Sequence, residues 1–73
     1  MGKKLDAVYN AIIEGVIEGF AGYDLYSFVN QRCENSSRKR FCRASILALS
    51  DSRVPDRSVL EGVYALAVHD LLR

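Results

Sequence analysis

A chain of 73 residues with a formal net charge of +1 at pH 7 is expected to form a single small domain. With 49% hydrophobic and 26% charged residues it is too apolar for intrinsic disorder, and its near-neutral charge excludes a global field that collects nucleic acid or anionic lipid. A chain this short buries roughly 60% of its unfolded surface, so stability depends on close packing or on a partner.

The first predicted helix places Leu5, Val8, Tyr9, Ile12, Ile13, Val16, Ile17 and Phe20 at i, i+3, i+4, i+7 spacing. Asp6, Asn10, Glu14 and Glu18 mark its polar face. Between the two runs a row of small residues: Ala7, Ala11, Gly15 and Gly19. A glycine inside a helix costs about 1 kcal/mol relative to alanine. Gly15 therefore implies a compensating close approach, either of another helix or of an aromatic ring. Gly22 is expected to end this helix as a left-handed cap.

Asp24 is the expected N-cap of a short second helix, Leu25 to about Cys33, with Leu25, Phe28 and Val29 inward. Glu34, Asn35, Ser36 and Ser37 form a polar break. A third helix is predicted from about Ser37 to Ser50, followed by a loop from Asp51 to Pro55. The fourth starts at Asp56 or Ser58 and runs to the end. Ser58 and Glu61 fit a capping box, and Asp56 offers a competing cap. The expected fold is all-α, a compact bundle of three longer helices and one short one.

The fourth helix is apolar on nearly all sides, through Val59, Leu60, Val63, Tyr64, Ala65, Leu66, Ala67, Val68, Leu71 and Leu72. A helix of that kind is either central in its domain or shared with another molecule. The first alternative has the four helices enclose it within one chain. The second makes the protein a homodimer, or docks it on a larger protein through helices one and four. Gly15, Gly19, Leu60, Tyr64 and Val68 are the expected interface residues. The function implied is that of a non-enzymatic helical binding protein: an adaptor, inhibitor or regulatory subunit.

Arg38, Lys39, Arg40 and Arg43 put four positive charges into six residues. Three of them occupy the first turn of the third predicted helix, where the helix dipole favours acidic residues. Lys39, Arg40 and Arg43 share one face of that helix, with Ser36 at its edge. A cation cluster held against its local electrostatics can serve an anion, and free amides at the same helix end add donors. The alternative function is thus a small nucleic-acid-binding regulator using these four residues, or a binder of acidic protein surfaces. Against both stands a solvated face whose charges pair with Glu14, Glu18, Asp51 or Glu34. The second and third predicted helices resemble a helix-turn-helix in outline. The turn lacks the usual glycine, however, and the first helix of the pair lacks the small residue that permits close crossing.

No catalytic constellation is expected. His69 sits near a helix C-terminus, where the dipole suits it, and adjacent Asp70 points about 100° away. Glu14 and Glu18 belong to the solvent face of the first helix. Cys33 and Cys42 with one histidine do not complete a four-ligand zinc site, so neither metal nor cofactor is expected. No signal segment or membrane-spanning run is evident, and the expectation is a cytoplasmic protein with reduced thiols that does not engage a membrane.

Overall fold

The computed structural model describes residues 2–33, 37–54 and 57–72, with side chains of the last helix described to residue 69. Four helices follow one another: α1 (Lys3–Ile17), α2 (Gly22–Arg32), α3 (Arg38–Ala48) and α4 (Arg57–Leu72). The fold is all-α, with no strand among the described residues. α1 packs on α2 and α3, and α4 packs on the same two helices. The ring order is therefore α1–α2–α4–α3, which leaves α1 and α4 on one diagonal.

The core takes the expected face of α1. Val8, Ile12, Ile13 and Val16 are buried, together with Leu25, Tyr26 and Val29 of α2. Phe41, Ala44 and Ala48 of α3 and Leu60, Val63 and Ala67 of α4 complete it. Much of the apolar surface of α4 is thus enclosed by the chain itself, and Val59, Tyr64 and Val68 pack half-buried at the rim. Ser45, the buried hydroxyl of α3, donates to the Phe41 carbonyl oxygen at 2.9 Å, which removes the cost of leaving it unpaired.

Gly15 has its close approach, and the partner is α2. A Cβ at this position would lie 2.5 Å from Leu25 Cδ1 and 2.9 Å from Phe28 Cδ1. Leu25 is itself fully buried, so it can give way only by repacking the core. α1 ends at Ile17, earlier than Gly22, because Gly19 supplies the left-handed residue first, at φ 96°. Its N–H donates to the Val16 carbonyl and the Phe20 N–H to the Gly15 carbonyl, the paired bonds of a Schellman motif. Gly22, at φ 56°, opens α2 instead, three residues ahead of the expected Leu25 start. Asp24 accordingly lies in the first turn of α2 and is not its cap. α4 begins at Arg57, which sets Ser58 inside the helix. Asp56 and Pro55 lie outside the described residues, as do Glu34, Asn35 and Ser36 of the polar break.

The junction between α3 and α4 is tied back to α1. The Tyr9 hydroxyl donates to Asp51 Oδ2. The Arg53 guanidinium grips the same carboxylate through Nε at 3.0 Å and Nη2 at 2.8 Å, and the Arg53 backbone N–H adds a bond at 2.8 Å. The Arg53 side-chain bonds, then the Tyr9 bond, hold the Asp51 carboxyl well below the usual carboxylate range, while the neighbouring carboxylate pushes Tyr9 upward.

Three variants check this account of the fold. Gly15→Leu destabilises the fold by about 1–3 kcal/mol in urea unfolding. Gly62→Ala, on an exposed helical site with nothing near the added methyl, stabilises it by about 0.5–1 kcal/mol. Because the Asp51 pKa is depressed on folding, its contribution is complete above about pH 5 and disappears as pH falls through the acid range. In pH-dependent thermal melts, Asp51→Asn lowers stability at pH 7 and flattens the loss between about pH 4 and pH 2.

Candidate anion-binding site

The basic cluster sits where α3 begins. Ser37 has extended backbone angles, and its hydroxyl accepts from the Arg40 N–H at 3.1 Å, so it is the N-cap of α3. The backbone N–H of Phe41 is taken by the Ser37 carbonyl oxygen at 3.0 Å. The earlier amides of the turn, those of Arg38 and Lys39, belong to the group that no helix satisfies internally.

Lys39, Arg40 and Arg43 line one open cavity of about 350 Å³, together with Ser37 and Leu5. Leu5 comes from the first turn of α1, so two helix starts border the same concavity. Arg38 is exposed on the same turn but does not line the cavity. Ser36 lies outside the described residues. Among the described residues, none of the four cations forms an ion pair. Glu14 pairs with Arg32 and Asp51 with Arg53, so two of the carboxylates available to neutralise the cluster are engaged elsewhere. Glu18 is exposed in the turn after α1 and makes no ion pair with a described residue, and Glu34 lies outside the described residues.

The expected interface residues fall in several environments. Gly15 is buried against Leu25 and Phe28, and Gly19 lies past the end of α1 with open space around it. Leu60 is fully buried, whereas Tyr64 and Val68 are half-buried. The large apolar side chains left in solvent are others: Ile46 is 50% exposed, Leu47 40% and Leu66 40%, with Ile17, Phe20 and Tyr23 around the α1–α2 turn. Leu71 and Leu72 have no described side chains.

Leu5 is the site residue that sequence reasoning missed. Its place in the apolar period of α1 marks it as a core residue, and it does pack half-buried against the core while also bordering the cavity. The signal that it lies beside the cluster is tertiary, since it depends on how α1 crosses α3. The cationic pair Lys3 and Lys4, exposed in the same first turn of α1, is visible in sequence as a second basic helix start.

His69 is exposed on α4. Cys33 is half-buried and Cys42 buried, both as free thiols, and burial pushes the Cys42 thiol up. Among the described residues, no three His, Cys, Asp or Glu side chains gather as a metal site, and no helix is long and apolar enough to cross a membrane. The chain matches no protein-family model, no curated protein and no solved structure.

The cluster carries a local cost that can be measured. Lys39→Glu replaces a cation by an anion at the positive end of α3 and raises stability by about 0.3–1 kcal/mol at low salt. Ser37→Ala removes the cap and lowers stability by about 1 kcal/mol. Chemical denaturation of the two variants beside the parent reads both effects.

Proposed function

We propose that this is a non-enzymatic binding protein that works by surface contact, and that its partner is a nucleic acid held by its phosphates at the start of α3. The single observation carrying this reading is the convergence of Lys39, Arg40 and Arg43 on one cavity with no described carboxylate paired to them. Surface charge runs in small proteins are usually neutralised by neighbours. Here Glu14 and Asp51 serve other arginines, and among the described residues no carboxylate neutralises the cluster. Phosphate contacts fix position and supply affinity without reading sequence, which suits a surface of four cations and no large groove-filling element.

Binding by this route depends steeply on salt. Four phosphate contacts give a slope of log affinity against log salt of about −3 to −4 on duplex DNA. Arg40→Glu with Arg43→Glu flattens that slope by about two units and weakens binding. Fluorescence anisotropy on a labelled duplex between 50 and 200 mM salt measures both (concentrations chosen for the range over which counterion release is large). An unchanged slope in the double variant would remove the reading.

A second reading is contact with another protein, including a second copy of this chain. It is supported by the apolar side chains that α3 and α4 leave in solvent, Ile46, Leu47 and Leu66. If they form a dimer interface, sedimentation at micromolar concentration gives a dimer mass that Leu66→Glu converts to monomer. A parent that sediments as a monomer throughout counts against self-association.

A further inference from the structure

We propose that the cavity between the starts of α1 and α3 is a pocket for a phosphomonoester, the terminal phosphate of a nucleic-acid strand or of a free mononucleotide. This rests on the phosphate reading above and narrows it to one group. Most of the cluster converges on a single hollow. Three of its four cations, Lys39, Arg40 and Arg43, line one open concavity, and Arg38 does not line it. A backbone-tracking surface spreads single charges along a line, one for each phosphodiester. Three cations around one hollow suit a group carrying more than one negative charge. A phosphomonoester carries about −1.5 to −2 at neutral pH and offers three acceptor oxygens, against a single charge on an internal phosphodiester.

The size and lining agree. At about 350 Å³ the hollow lies at the small end of ligand pockets, enough for a phosphate and the sugar or base next to it. Arg40 and Arg43 provide planar, forked donors that match phosphate oxygens in pairs, and Lys39 supplies a compact point charge. Leu5, contributed to the lining by α1, offers an apolar surface for the ring system attached to the phosphate. Ser37 lines the same cavity, and its hydroxyl keeps its own proton, because its bond with the Arg40 N–H uses it as an acceptor.

The test compares short single strands of identical sequence bearing either a 5′-phosphate or a 5′-hydroxyl, with a free mononucleotide and inorganic phosphate alongside. Titration calorimetry reads the affinities, and amide chemical shifts locate them. The 5′-phosphate is expected to tighten binding about tenfold or more, the factor of a hydrogen bond to a charged group. Shifts should concentrate at residues 37–43 and at Leu5. The 5′-phosphate advantage should vanish in Arg40→Gln with Arg43→Gln, while the circular dichroism of that variant matches the parent. A mononucleotide that binds as tightly as the phosphorylated strand supports the pocket and assigns its source to the small molecule. Equal affinity for the phosphate and hydroxyl strands, with a steep salt slope for both, overturns the pocket and leaves the backbone reading standing. Absence of binding by every probe overturns both.

Discussion

The seat of Leu25 and Phe28 on Gly15 is the contact on which the rest of the arrangement depends. Any side chain at residue 15 would enter the space that Leu25 fills, so α2 lies as close to α1 as it does only because nothing stands there. That proximity carries Tyr26 into the centre of the bundle, where its ring meets Phe41 edge-on with centroids 4.8 Å apart. Phe41 in turn is 1% exposed and anchors the first turns of α3. The residues beside it in sequence, Arg40 and Cys42, are thereby fixed in direction. The basic cluster faces outward because Phe41 faces inward.

This chain of dependence also explains why the positive charges can persist at an unfavourable helix end. Repulsion from the dipole amounts to tenths of a kcal/mol for each residue. Burial of Phe41 contributes more, on the order of 1.5–3 kcal/mol for a side chain of that size. The cap from Ser37 adds about 1 kcal/mol to the same turn. α3 therefore tolerates an arrangement that an isolated helix of 11 residues would not.

The four helices were legible in the sequence because the apolar period of α1 and the breaks at residues 34–37 and 51–55 are strong local signals. Gly15 announced a close contact through its helix cost, and the groove it makes is filled by Leu25 and Phe28 of the same chain. The position of the α1 end was less legible. Gly19 and Gly22 are both capable of a left-handed cap, and the choice between them turns on whether Phe20 can close the motif and stack on Phe28, at 4.8 Å between ring centroids. The surplus of apolar surface on α4 read larger than it is, since Leu60, Val63 and Ala67 pack against helices whose directions a one-dimensional pattern does not contain. The clustering of Lys39, Arg40 and Arg43 followed from helical spacing alone. The presence of Leu5 beside them did not, because it is set by the α1–α3 crossing.

The ring order of the helices has a kinetic consequence. α1 with α2, and α3 with α4, are neighbours both along the chain and in space, so each half can close as a helical hairpin before the other exists. The α1–α3 and α2–α4 seams then join the two halves, distant along the polypeptide. Topologies built this way belong to the helical class that reaches the native state within microseconds to milliseconds. Little time is spent with the greasy faces of the two halves open to other molecules, which matters most for a chain too short to protect itself in any other way.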